Sequence, residues 1–411
     1  MSVPRTILYT GKGGVGKTSV AAATARLCAA RGLRTVVLST DPAHSLSDSL
    51  EAELGADPTP VAERLWGQEV QAQREMEDNW GQVQGWLVGL LADRGVMDIA
   101  AEELTVPPGM DELFSLLQIK HHHESGDYDA IVVDCAPTGE TLRLLSFPEI
   151  AQWWLERVFP HERRLVSAAR PFAKSILNVD LPGEEVFGEV NQLVRNLIAM
   201  NDILRDRANA SIRLVMNADR MVINEAQRTF TYLNLYGYLT DAVIVNRLFP
   251  DEVKAGYFGA WRRRQTEQLA EIESGFAPVP VLRARYFDEE VVGATMLDRL
   301  GEELFGDRDP APLMHTELAQ QIDQDTEGGT TIRIKVPFAE RSQIALKQVG
   351  SELIVTAGRE KRTIILPPAL ARRTPTGAAL EDGSLRVSFD TDDGSRSTRR
   401  GRPQSRPTEP V

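Results

Sequence analysis

Eight residues near the amino end, Gly11-Lys12-Gly13-Gly14-Val15-Gly16-Lys17-Thr18, constrain the chain more than any other part of it. The spacing G-x-x-x-x-G-K-[ST] has a mechanism in one context, where a strand enters it and a helix leaves it. Thr6-Ile7-Leu8-Tyr9 reads as the strand, and the Ala-rich stretch through Ala22 and Leu27 as the helix. In that setting Gly11, Gly13, Gly14 and Gly16, with Val15 among them, let successive backbone N–H groups turn inward around phosphate oxygens at the positive end of the helix. Lys17 then reaches the β/γ oxygens, Thr18 offers its hydroxyl to Mg²⁺, and Ser19 follows in the first helical turn.

A strand–loop–helix start predicts an α/β fold, and the next 300 residues keep its rhythm. Short β-branched runs at Thr35–Ser39, Ala130–Val133, Ile212–Met216, Ala242–Val245 and Val279–Leu282 alternate with helical stretches, the last carrying Met296, Leu300 and Leu304. Two segments, about 45–123 and 148–209, are too long for ordinary βα loops and read as helical insertions. From Thr331 the period changes to two, through Leu353–Thr356, Thr363–Leu366 and Gly383–Phe389, which predicts a small antiparallel β-sandwich. The expected division is an ATPase-type domain at 1–319, a linker at 320–329, the β domain at 330–391 and a disordered tail at 392–411, where Arg, Ser, Pro and Gly leave little to bury.

Composition removes several functions. No apolar run approaches the length of a membrane span, and the start Met1-Ser2-Val3-Pro4-Arg5 lacks the pattern of a secretory signal, so a cytoplasmic location is expected, or a stromal-type compartment after loss of a transit peptide. With 46 Lys+Arg against 59 Asp+Glu the formal charge is −13, which argues against nucleic acid as a partner. Two cysteines, Cys28 and Cys135, are too few for a disulfide framework or a thiolate zinc site within the chain.

Lys12 is surplus to an ordinary phosphate loop. Its side chain cannot easily curl back onto the nucleotide that Lys17 serves, and a second lysine in so small a loop needs an anion from elsewhere. Gly-Lys-Gly-Gly-Val-Gly-Lys-Thr-Ser resembles the deviant Walker A loop of the dimeric ATPases that include the arsenical-pump-driving ATPase and the guided-entry ATPase for tail-anchored proteins. The resemblance implies that Lys12 reaches across a two-fold interface to a partner's nucleotide.

Two more segments sharpen it. Asp41-Pro42-Ala43-His44 follows the second strand and Asp134-Cys135-Ala136-Pro137-Thr138-Gly139 follows Ile131–Val133, both at carboxyl strand ends, where open α/β sheets bind ligands. A carboxylate there is what Mg²⁺ uses, since it keeps several waters and takes one or two protein oxygens; Asp134 is therefore assigned to the metal with Thr18. These motifs resemble the arsenical-pump and guided-entry branch over about residues 5–310, which implies that Asp41 orients the attacking water. Asn217 and Asn246 end strands. Asn246 matches the family's Val-Asn-x segment as a base reader, with Arg283 to Phe287 covering the ring.

The departures matter as much. Arsenite wants several thiolates, and Glu140 stands where the arsenical branch usually has histidine. The stretch Asp251–Phe258 lacks the C-x-x-C through which fungal and animal guided-entry ATPases share zinc, so no zinc is expected. His121-His122-His123 reads as a solvated helix end, because ligand pairs on a helix sit three or four residues apart. Apolar stripes at Trp80, Val83, Leu87, Leu90 and Leu91, at Trp153, Trp154, Leu155, Val158 and Phe159, and at Leu193, Leu197, Met200 and Leu204 read either as packing surfaces or as walls of a client groove. The β domain resembles the α-crystallin fold of small heat-shock proteins. The expectation is thus a homodimeric ATPase using ATP and Mg²⁺ that binds and releases hydrophobic polypeptide segments, as a membrane-protein targeting factor with a membrane receptor or as a chaperone. The alternatives are an energising subunit for arsenite or antimonite efflux, and a holdase with a structural nucleotide site.

Overall fold

The structure, a computed structural model, describes residues 3–41, 45–71, 73–77, 81, 84–85, 110–135, 184–235, 237–253, 256–317, 320–324, 329–335, 344–357, 360–381 and 384–389. The apolar stripes at 80–91 and 153–159, the segments Pro42–His44 and Ala136–Gly139, Glu140 and the tail lie outside the described residues.

Strands β1 (Arg5–Thr10), β2 (Thr35–Ser39), β3 (Thr59–Ala62), β4 (Leu65–Glu69), β5 (Ala130–Asp134), β6 (Ala210–Asn217), β7 (Thr240–Leu248) and β8 (Val281–Arg285) form one sheet in the order β3-β4-β2-β5-β1-β6-β7-β8. All neighbours run parallel except the edge pair β3–β4. The helices are α1 (Lys17–Ala30), α2 (Ser45–Leu50), α3 (Met110–Ser125), α4 (Glu184–Arg205), α5 (Arg220–Leu235), α6 (Tyr257–Phe276) and α7 (Gly293–Phe305). Alternate strand residues enter opposite cores: Leu8, Val36, Leu38, Ile131 and Val133 join residues of α3, α4, α5 and α6, whereas Ile7, Tyr9, Val37 and Val132 join those of α1, α2 and α7. Burial on both faces is why these strands read as continuous apolar runs. Alanines 21, 22, 23 and 25 fill the α1 side of that second core, and small side chains there bring α1, and the loop before it, close to the sheet.

The C-terminal strands are β9 (Gln320–Gln324), β10 (Thr330–Lys335), β11 (Ile344–Val349), β12 (Glu352–Ala357), β13 (Glu360–Ile365), β14 (Pro375–Glu381) and β15 (Ser384–Phe389), with a one-turn helix α8 (Pro368–Ala371) before β14. They form two antiparallel sheets, β14-β15-β10-β9 and β11-β12-β13. Ile332, Ile334, Leu385, Val387 and Phe389 of one meet Leu353, Val355 and Ile364 of the other in a single core, a sandwich. Strands β9 and β13 pack against α5 and α6 of the larger unit.

Three expectations change and one open reading is decided. The first insertion is not wholly helical, since 59–69 holds β3 and β4; the run Gly67-Gln68-Glu69 hid a buried strand because its polar side chains have partners. Part of the presumed linker is β9, a polar edge strand paired with β10 that commits only Ile322 to the core. The stripe Leu193, Leu197, Met200 and Leu204 lies in the main core, so the packing reading holds for it. His122 is buried, its Nε2 at 2.5 Å from Gln68 Oε1 and its ring edge-on to Tyr128.

Candidate functional site

The strand order reverses around β1, so the loop after β1 opens at the crevice where open α/β sheets receive ligands. Gly11 is at φ 151°, and a Cβ there would sit 2.0 Å from the Val215 carbonyl oxygen of β6. Glycine is required at this point because the loop presses directly on a neighbouring strand. Gly16, at φ 93°, precedes α1, and a Cβ on it would lie 2.4 Å from Asn246 Nδ2. Gly13, Gly14, Gly16, Lys17, Thr18, Ser19 and Asp41 line a cavity of about 600 Å³. Gly11 and Val15 are outside that lining, and Val15 is buried in the core behind the loop.

Within the loop Lys17 is buried and donates from Nζ to the Lys12 carbonyl at 3.4 Å. Thr18 Oγ1 lies 3.1 Å from Ser45 Oγ at the start of α2, and the α2 end is itself pinned where the Ser47 N–H donates to Glu69 Oε1 at 2.9 Å. Asp41 follows β2, its N–H donating to Ser39 Oγ at 3.2 Å. Asp134 closes β5 between Tyr9 of β1 and Ser39 of β2. Its side chain is 0 % exposed, and both carboxylate oxygens lack a hydrogen-bond partner. Burial raises its pKa to about 6; the Thr18 hydroxyl and the Lys17 ammonium pull against that rise and Asp41 adds to it. A buried carboxylate with two orphaned oxygens beside two hydroxyls fits a hard divalent cation that keeps part of its water shell. Among the described residues no group of three His, Cys, Asp or Glu could hold a metal, and a Mg²⁺ site of the kind in question needs no such group.

The remaining expected residues divide. Lys12 does not line the cavity; its Nζ lies 3.8 Å from Glu225 Oε2 on α5, both side chains about 40 % exposed. Asn246 lines it, but Nδ2 donates to the Val15 carbonyl at 2.9 Å and Oδ1 accepts from the Arg247 N–H at 2.9 Å. Phe287 lines it with Arg299 5.0 Å above its ring. Asn217 and Arg283 are outside the lining. Arg283 lies two residues before the end of β8 and pairs with Glu273 of α6, too far back along the strand to reach the mouth.

Arg285 and Tyr286, inside the expected loop Arg283 to Phe287, line the cavity, whereas sequence reasoning missed Ser45, Asp48 and Arg247 there. Ser45 was within reach of the Asp41 motif, four residues on. Arg247 carries no motif, and three-dimensional convergence alone brings it in. Both cysteines are buried, and burial pushes Cys28 up to about 12 against the pull of Arg213.

Residues 4–306 match the anion-transporting ATPase family, and residues 327–389 match the HSP20-like domain found in its arsenical-pump members. The chain is 41 % identical over 393 residues to a putative arsenical pump-driving ATPase of Prosthecochloris vibrioformis, covering 94 % of this chain and 96 % of that one. It is 36 % identical to putative arsenical pump-driving ATPase 1 of Aquifex aeolicus, over 93 % of this chain and 99 % of that one, and 30 % identical to the ATPase GET3C of Arabidopsis thaliana, over 72 % and 81 %. A strand-borne phosphate loop, a buried carboxylate behind it and these matches make one finding: the chain belongs to the anion-transporting ATPase family, hydrolyses ATP and carries an HSP20-like domain at its carboxyl end.

Proposed function

We propose that the protein is a homodimeric, Mg²⁺-dependent ATPase that opens and closes its two subunits with nucleotide and thereby binds and releases hydrophobic polypeptide segments for a membrane receptor. The observation that carries the dimeric part is the position of Lys12, turned out of its own cavity and half exposed, where a partner's triphosphate can meet it. The client part is supported by the HSP20-like domain seated on the ATPase unit.

Lys17 holds the β/γ oxygens in cis, and Lys12 adds positive charge from the facing subunit as negative charge develops. Asp41 orients the attacking water and accepts its proton. Thr18 and Asp134 would hold Mg²⁺, which would neutralise charge on the phosphate oxygens. Nucleotide can change client affinity only if closure favours one groove geometry that binds client better or worse than the other, since a ligand shifts an equilibrium by its differential affinity.

Asp41→Asn is expected to bind ATP with near-normal affinity and to lose turnover by about 100-fold or more, the scale of a general base; unchanged turnover removes Asp41 from its role. Lys12→Ala is expected to abolish nucleotide-dependent dimerisation in analytical ultracentrifugation. The second reading, energising metalloid efflux, is favoured by the names of the pump-driving relatives. Two buried thiols are a poor arsenite site, so arsenite should leave turnover unchanged, and stimulation would revive that reading.

A further inference from the structure

The turn at the end of β7 holds a non-glycine residue in the left-handed region, Arg247 at φ 59°. The β7–β8 register shifts at the same place, between Val245 and Leu248, a bulge beside the candidate site. Such backbone persists when its surroundings over-determine it, and here they do. Gln265 of α6 accepts from the Phe249 N–H at 2.9 Å and donates to the Arg247 carbonyl at 3.4 Å, while the Tyr286 N–H donates to the Leu248 carbonyl at 2.7 Å.

What this turn grips is the phosphate loop. Arg247 Nη1 donates to the Gly14 carbonyl at 2.8 Å, and Asn246 Nδ2 donates to the Val15 carbonyl at 2.9 Å. In a trans peptide the carbonyl and the following N–H point opposite ways. Pinning the Gly14 and Val15 carbonyls against β7 therefore aims the N–H groups of Val15 and Gly16 away from it, toward the concave side of the loop. We infer that Asn246 and Arg247 are positioning residues that set the phosphate loop's N–H groups for the β-phosphate before nucleotide arrives. Gly16 completes the fit, since only a residue without Cβ leaves room for the Asn246 amide. Hydrogen bonds set in advance contribute to binding without reorganisation at the moment it happens. The inference rests on reading Gly11–Thr18 as a phosphate loop.

The test is competition binding of ADP, GDP and pyrophosphate to the full chain bearing Arg247→Gly, Asn246→Ala or Lys17→Ala. Both positioning variants are expected to weaken all three ligands by the same factor, about five- to tenfold for one lost hydrogen bond of about 1–1.4 kcal/mol, leaving the ADP-to-GDP ratio unchanged. Arg247→Gly also relieves the left-handed strain, so its nucleotide-free melting temperature should not fall, which separates positioning from loss of fold. A changed ADP-to-GDP ratio in Asn246→Ala, with pyrophosphate unaffected, would return Asn246 to the base and overturn the inference. Weakening by Arg247→Gly with no effect of Asn246→Ala on pyrophosphate would make Arg247 a direct phosphate ligand and overturn it too. Should Lys17→Ala leave all three ligands unchanged, the phosphate-loop reading itself fails; should only Lys17→Ala weaken them, the loop stands and the positioning role falls.

Discussion

Two buried titratable side chains pull the stability of this protein in opposite directions with pH. The folded-state pKa of Asp134 is raised from 3.8 to about 6, chiefly by burial, so its contribution is whole below 3.8 and disappears as pH climbs through about 6. His122 is lowered from 6.5 to about 4, by burial first and then by His121; its contribution is whole above 6.5 and lost as pH falls toward 4. Each shift corresponds to on the order of 3 kcal/mol, so the two slopes largely offset between pH 4 and 6. Asp134→Asn should therefore make the nucleotide-free protein more stable at pH 7.5 and expose a loss on acidification that the unmodified chain conceals. Urea titrations at pH 7.5 and 5 check this, and parallel pH dependence in the two chains would contradict it. At this scale the placement of Lys17 and Thr18 at the start of a helix and of Asp134 at a strand end was legible in the sequence, because strand pattern and spacing locate them. It could not tell the neighbours of Lys12 and Asn246, because Glu225 lies more than 200 residues from the first and the Val15 carbonyl as far from the second.

Between elements, the least expected device is ionic. Arg213 of β6 is fully buried and bonds Asp241 of β7 through Nε at 3.1 Å and Nη2 at 3.2 Å, the Tyr9 hydroxyl of β1 at 3.1 Å and the Pro310 carbonyl at 2.7 Å. Arg5 joins from the start of β1, reaching Asp241 at 3.3 Å and the Ala311 carbonyl at 2.7 Å. Burial pushes Asp241 upward, yet Arg213 holds it below the usual carboxylate range. The cluster ties three central strands to the segment leaving α7 for the β sandwich. Asp241→Asn leaves a buried guanidinium without its counter-charge and should cost about 3–5 kcal/mol, whereas Arg213→Met with Asp241→Leu should recover most of that loss. Equal losses in the single and double variants, by denaturant unfolding, would contradict the assignment. Elements were legible where both faces are apolar, as in Thr35–Ser39 and Ala130–Asp134. They were hidden where polar residues are buried in pairs, as in β4 with Gln68 and Glu69, or where an edge strand commits one side chain, as in β9.

Across the whole molecule, the ATPase unit and the sandwich have separate hydrophobic cores and meet where β9 and β13 rest on α5 and α6. Two units with no core in common predict two calorimetric transitions. Leu353→Ala, at a fully buried position of the sandwich, should lower the smaller transition by about 2–5 kcal/mol. MgATP at 100 times its dissociation constant should raise the larger by about 2.7 kcal/mol. A single transition moved by both would mean that the units unfold as one, with the contact on α5 and α6 stronger than either core alone.

The seclusion of both sulfurs has a practical side. Cys28 and Cys135 are shut away from solvent, and Cys28 holds its proton far beyond neutral pH, so maleimide reagents should pass over the native chain. A surface residue replaced by cysteine would then carry a dye alone, and a pair of such dyes could time the approach of two subunits in single-molecule fluorescence without any background mutation.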